Sequence, residues 1–166
     1  RTGSQYNGQR LTWDYDKNTL ITDVPNYVKQ ANHELMPYKS IRKFNTPSMY
    51  EPIQYRKSQM KEPKNYELAN AQGKKFVERV HGKYLWYSQH GDPTFQPSLL
   101  YMSTELAKPT TRTVEAAERI VGYAEKHPNR GVHYRASDMI LKIQSDASHH
   151  GLPGSRSVAG GIFYLT

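Results

Sequence analysis

The sequence predicts an α+β fold on three observations: polar and apolar residues alternate at both ends of the chain, apolar residues fall at helical spacing through its second half, and a proline-broken basic stretch lies between. With 166 residues it fits one medium domain or two small ones, and 36% hydrophobic content supplies a modest core. Within these 166 residues no large multidomain enzyme is expected.

The alternation of Gln9, Arg10, Leu11, Thr12 and Trp13, a turn at Asp16-Lys17-Asn18 and the run Thr19-Leu20-Ile21-Thr22 together predict a β-hairpin. Pro25 suits a first helical turn, and Val24, Val28, Ala31 and Leu35 follow at intervals of four, three and four, so one apolar stripe runs along a helix. Pro37 ends it.

From 37 to 64 no period holds. Pro37, Pro47, Pro52 and Pro63 are spread among seven bases, including Arg56 and Lys57, with only Glu51 and Glu62 against them, so most of the chain's net charge of +8 lies here. The composition predicts a solvated connector. The alternative is an arm that tracks a nucleic-acid strand, its bases on phosphates and Tyr38, Tyr50 or Tyr55 stacked on bases.

Residues 68–89 carry Phe76, Val80, Tyr84 and Tyr87 at helical spacing, with Lys74, Lys75, Arg79 and Lys83 in polar positions. Gly73 and Gly82 each cost about 1 kcal/mol inside a helix relative to alanine, which predicts close packing at both. His90-Gly91-Asp92-Pro93 terminates the segment. A shorter helix over 97–107 is expected to bury Leu99, Leu100, Met102 and Leu106 before Lys108-Pro109 breaks it. The next begins at Thr110 or Thr111 with a threonine cap, buries Val114, Ala117, Ile120, Val121 and Ala124, and closes at His127-Pro128.

Past Asn129-Arg130-Gly131 the period becomes two. Met139, Leu141, Ile143 and Ser145 fall on one face and Ile140, Lys142, Gln144 and Asp146 on the other, which predicts a strand ending in a carboxylate. A loop over 149–157 then leads to a partner strand over 158–165. A lone hairpin of this kind is marginal in water and is expected to fray or associate unless the helices cover it. The expected units are 1–36, the basic linker 37–64, the helical cluster 65–130 and the C-terminal piece 131–166.

Function classes narrow by exclusion. With no cysteine, the chain has neither a disulfide scaffold nor thiolate zinc ligands, and it carries no Gly-x-Ser-x-Gly elbow, no phosphate-binding Gly-x-x-x-x-Gly-Lys loop and no Gly-x-Gly-x-x-Gly fingerprint. His149-His150 lacks the further ligands a zinc site requires. No run approaches the roughly 18 apolar residues of a bilayer span, so no membrane partner is expected. The aromatic residues read as packing or, alternatively, as platforms for unpaired bases. A net charge of +8 favours a polyanionic partner. Asp146, taken alone, reads either as a turn or cap residue or as a carboxylate that a rigid strand holds against a divalent cation.

Ile143-Gln144-Ser145-Asp146-Ala147-Ser148, followed by Gly154-Ser155-Arg156-Ser157-Val158-Ala159-Gly160-Gly161, resembles the opening of the ribonuclease H domain in copia-type retrotransposon polyproteins. Upstream, Tyr6-Asn7-Gly8, Trp13-Asp14-Tyr15-Asp16 and Val24-Pro25-Asn26-Tyr27-Val28 look like the closing hairpin of the reverse transcriptase palm and the first thumb helix. Gly82-Lys83-Tyr84-Leu85-Trp86-Tyr87, Asp92-Pro93, Lys108-Pro109-Thr110 and His127-Pro128 fall where that family has its thumb and connection helices. The resemblance spans nearly the whole chain and is weakest over 37–64.

It implies that Asp146 is the first of four acids holding two magnesium ions for cleavage of the RNA strand of an RNA–DNA hybrid, a task for clustered carboxylates because one cannot neutralise both ions. It implies too that the C-terminal hairpin begins a ribonuclease H-like mixed sheet left incomplete at Thr166, and that the polymerase aspartates lie before Arg1. Both centres are then incomplete, and the chain alone is expected to be inactive and to hold Mg2+ weakly or not at all. The implied partners are an RNA–DNA hybrid or other nucleic acid and the remainder of the polyprotein, with Arg56, Lys57, Lys74, Lys75 and Arg156 as phosphate contacts. The implied location is intracellular, in a cytoplasmic particle or the nucleus. The alternative is a non-catalytic nucleic-acid-binding or assembly module derived from such an element, with Asp146 structural.

Overall fold

The structure, a computed structural model, describes residues 4–36, 41–49, 66–152 and 156–166. Their fold is α+β, with four α-helices and two antiparallel sheets.

The first sheet holds β1 (Ser4–Tyr6), β2 (Gln9–Asp14), β3 (Thr19–Asp23) and β4 (Gly131–Arg135) in that order. β2 and β3 are the expected hairpin, Trp13 opposite Leu20 and Leu11 opposite Thr22. β1 was not anticipated, although Asn7 and Gly8 both have positive φ (49° and 80°), the backbone a two-residue hairpin turn requires. Nor was β4, which lies in the piece grouped with the C-terminal strands but pairs with β3 along its whole length, Val132 opposite Thr22 and Tyr134 opposite Leu20.

α1 (Tyr27–Leu35) buries the expected stripe of Val28, Ala31 and Leu35 and leads on from buried Val24. Asn26, not Pro25, is its N-cap residue, in the left-handed region. α2 (Ala71–His90) begins where the Asn70 side chain accepts the Gly73 N–H at 2.8 Å, and it buries Val77, Val80, Tyr84 and Tyr87, with Phe76 half-buried. Gly73 packs as expected, since an added Cβ would stand 3.1 Å from Val114. Gly82 does not: an added Cβ would meet nothing within 4 Å, and nothing in the structure explains this glycine.

After Gly91 a 3-10 turn (Pro93–Phe95), capped by Asp92, leads into α3 (Gln96–Ser103). Leu99 and Met102 are buried, but Leu100 is 47% exposed and Leu106 lies beyond the helix, half-buried. The expected burial of Leu100 is thereby corrected: the helix is two turns long and carries only one inward stripe. α4 (Thr111–Lys126) starts with the capping box Thr110–Thr113 and buries Ala117, Ile120, Val121 and Ala124 as expected.

Residues 41–49 correct part of the connector reading. They lie along α4, with the Phe44 N–H on the Gly122 carbonyl at 3.3 Å and the Arg42 and Arg119 guanidinium groups 5.2 and 4.7 Å from the centre of the Phe44 ring. Gly122 makes room for this strap, since a Cβ there would stand 1.9 Å from the Arg42 carbonyl oxygen. Residues 37–40 and 50–65 lie outside the described residues.

Inside, Phe95 stacks on Tyr84 at 5.3 Å and meets Tyr87 and Tyr123 edge-on at 5.7 and 5.1 Å, while Tyr27 stacks on Tyr87 at 5.3 Å. Beside them buried Asn32 of α1 accepts the Tyr84 hydroxyl of α2 and donates to the Val121 carbonyl and Glu125 carboxylate of α4, at 3.4 and 2.9 Å. Burial pushes the Tyr84 phenol far up and that of Tyr87 to about 12.

The second sheet is β5 (Leu141–Leu152) paired with β6 (Arg156–Leu165). The expected strand end at Asp146 and the expected loop over 149–157 are corrected together, because pairing runs on past a bulge between Ser148 and Leu152 to Leu152 opposite Arg156. Turn-type residues do not stop pairing when the backbone groups have a partner strand to bond with.

Replacing Asn32 by Leu is expected to leave the Tyr84 hydroxyl buried without an acceptor and to lower stability by about 2 kcal/mol, or the melting temperature by about 4–8 °C for a chain of this size. Thermal unfolding followed by circular dichroism checks it.

Candidate functional site

Asp146 sits in the middle of β5 opposite Gly160, where an added Cβ would meet nothing within 4 Å. Lys142, Gln144, Asp146 and Ser148 share one face with Tyr164, Ile162, Gly160 and Val158 across the ladder. The side chain is exposed, and its Oδ1 accepts the N–H of Ala147 at 2.8 Å. Asp146 is therefore neither a turn residue nor a helix cap.

This face looks across a cleft of about 1010 Å³. The opposite wall is built by His81, Leu85 and Gln89 of α2 and by Gln96 and Leu100 of α3. Leu85 and Leu100 are both more than two-fifths exposed, apolar residues on the outer faces of their helices. The sequence reading did not single out this wall; apolar residues falling off the core stripe were the available signal.

The described residues do not by themselves make a two-metal site. Among the described residues no group of three or more His, Cys, Asp or Glu could hold a metal ion, and Asp146 is the one carboxylate lining the cleft. A single carboxylate cannot balance two divalent cations.

Of the expected phosphate contacts, Lys74 and Lys75 are exposed near the start of α2, where Lys75 lines a groove with Leu35, Phe76, Arg79, Val114 and Glu118. Arg156 opens β6 on the other sheet. Arg56 and Lys57 lie outside the described residues. The groove is separate from the cleft, which begins at His81, about one and two-thirds helical turns beyond Lys75. The aromatic residues divide: Tyr84 and Tyr87 are core, whereas Trp13, Tyr15 and Tyr134 are 45–65% exposed on or beside the first sheet.

No helix among the described residues is long and apolar enough to cross a membrane.

Partial burial holds the His81 imidazole below its usual range, and the His127 imidazole is held down by desolvation and then by Arg130 and Lys126. Each binds its proton more readily unfolded than folded. Their neutral forms are favoured in the fold, so stability is complete above the unfolded value of about 6.5 and falls as pH drops below it. His81→Gln is expected to flatten the loss of melting temperature between pH 7 and pH 5 without abolishing it, since His127 remains; thermal melts across that range measure the slope.

Compared with models of protein families, with curated proteins and with solved structures, the chain matches none.

Proposed function

We propose that the chain is a segment of a copia-type retrotransposon polyprotein that makes DNA on an RNA template and cleaves the RNA of the resulting hybrid. In this reading residues 4–36 close the polymerase palm and open the thumb, α2–α4 belong to the thumb and connection, and β5–β6 begin the ribonuclease H sheet. The role of the segment is to position nucleic acid.

What supports the reading is the resemblance of its motifs, in the same order along the chain, together with one structural observation. Asp146 stands mid-strand on an antiparallel pair, across from a glycine that leaves open space beside it. A carboxylate on a strand is held more rigidly than one on a loop, which suits a metal ligand awaiting partners. The basic balance of +8 supports a phosphate-rich partner.

A second reading, a non-catalytic binding or assembly module derived from such an element, is favoured by the absence of a second carboxylate beside Asp146 among the described residues. The gene's reading frame separates the two. Continuation past Thr166 with a helix-borne Glu and two further Asp favours the polyprotein, and a stop there favours the module.

The experiment is binding of an RNA–DNA hybrid across a salt series, with a Mg2+-dependent cleavage assay on the same samples. The expected result is affinity that falls linearly on a log–log plot and no cleavage. The double change Lys74→Glu and Lys75→Glu lowers affinity about tenfold or more, while the neutral pair of glutamines reduces the salt slope by about 2 if each lysine meets one phosphate. Salt-insensitive binding contradicts the nucleic-acid role, and robust turnover lost in Asp146→Asn contradicts the claim that the centre is incomplete.

A further inference from the structure

The strap over 41–49 carries a hydroxyl that none of the functional argument uses. Of the ten prolines in the chain, Pro47 is the one that follows a hydroxyl-bearing residue, Thr46. Proline disfavours helix at the residue before it, and 41–49 holds neither helix nor strand. Thr46 is exposed, and its Oγ1 donates to the Ser48 carbonyl at 3.1 Å, two residues along the same segment. Ser48, by contrast, turns its hydroxyl onto that of Ser98 in α3 at 2.5 Å.

Arg119 of α4 is already aimed at Thr46. Its Nε donates to the Thr46 carbonyl at 3.1 Å and its Nη2 to Thr46 Oγ1 at 2.9 Å, while the guanidinium rests on the Phe44 ring. Lys126 bonds the side chain of Asn45, and Arg42 and Lys43 lie just upstream. Against these four bases, Glu115 and Glu118 line the groove shared by Arg42, Phe44 and Arg119, and Glu125 is bonded to Asn32. The local balance is positive, which favours an anion added at Thr46.

We propose that Thr46 is a phosphorylation site for a proline-directed protein kinase, and that the phosphate clamps the strap to α4 through Arg119. Thr46 Oγ1 attacks the γ-phosphorus of ATP, its proton passes to a carboxylate of the kinase, and the bond from that phosphorus to the leaving oxygen of ADP breaks. The neutral acceptor now facing Arg119 is thereby replaced by a group with about −1.5 to −2 charges at pH 7 and three acceptor oxygens. A charge-assisted pair of this kind is roughly twice as strong as a neutral hydrogen bond, and the planar guanidinium fork can meet two phosphate oxygens at once. The strap, tethered by the Phe44 N–H on Gly122 and by ring contacts, gains a charged tether. This inference stands independently of the proposed function.

The test incubates the full 166-residue chain with a recombinant proline-directed kinase, ATP and Mg2+, locates the phosphate by mass spectrometry and titrates it by phosphorus-31 NMR. The expected result is phosphate on Thr46, lost in Thr46→Ala and incorporated at least tenfold more slowly in Pro47→Ala. The second pKa of that phosphate is expected about half a unit lower in the folded chain than in a phosphorylated peptide of sequence 38–54, which carries Arg42 and Lys43 but not Arg119. Arg119→Gln is expected to remove most of that difference while leaving the site phosphorylated. Should Arg119→Gln misfold, the comparison of unaltered chain with peptide still decides. A Thr46 that stays unphosphorylated, whether or not the peptide accepts phosphate, overturns the proposal. So do incorporation indifferent to Pro47→Ala, a phosphate that titrates as it does in the peptide, and a difference that survives Arg119→Gln.

Discussion

Three helices meet at one buried amide. Asn32 is 2% exposed, and its side chain ties α1 to α2 through the Tyr84 hydroxyl and to α4 through the Val121 carbonyl and Glu125. A polar group so far from solvent is tolerated only when hydrogen-bonded, so the three helices share one relative arrangement or the amide is left unpaired. The aromatic cluster around Phe95 fills the space this arrangement creates, and the 3-10 turn capped by Asp92 places Phe95 in it. The turn between β1 and β2 brings Gly8 beside Trp86 of α2, and at the start of α1 the Tyr27 hydroxyl donates to the Lys83 carbonyl at 2.7 Å.

The consequence for function is a division of labour. Among the described residues the buried cluster is built without β5 and β6, none of whose residues belongs to it. Among the described residues the hairpin therefore leaves an apolar face for something else. The single acid of interest stands on its opposite face, over the cleft. In the proposed polyprotein that something is the rest of a catalytic sheet. That follows from one physical fact, a strand pair too small to bury its own surface.

How much of this was legible in the sequence depended on where the determinants lay. Val28, Ala31, Leu35 and the α4 stripe were readable because helix periodicity and burial agree there. Leu100 was misread because two apolar neighbours on a two-turn helix cannot both face inward. β4 was missed although Val132 and Tyr134 alternate with His133 and Arg135, because the run is only five residues long and its pairing with β3 is a long-range event with no local signal. The strap over 41–49 was hidden for a similar reason: its composition reads as solvated chain, while its anchor, Gly122, lies far along the sequence. Asp146 was found through resemblance, and its mid-strand position was not foreseen because His149, His150 and Gly151 look like a loop. The cleft wall of His81, Leu85 and Leu100 required the fold.

The claim on which these conclusions rest is that the core holds itself together and the hairpin is an addition to it. Deleting residues 137–166 and recording the near-ultraviolet circular dichroism of the aromatic cluster through a thermal melt tests it most directly. The account predicts an unchanged aromatic signal and a cooperative transition within a few degrees of that of the full chain. Loss of the signal, or a melt that broadens into a gradual slope, would contradict it.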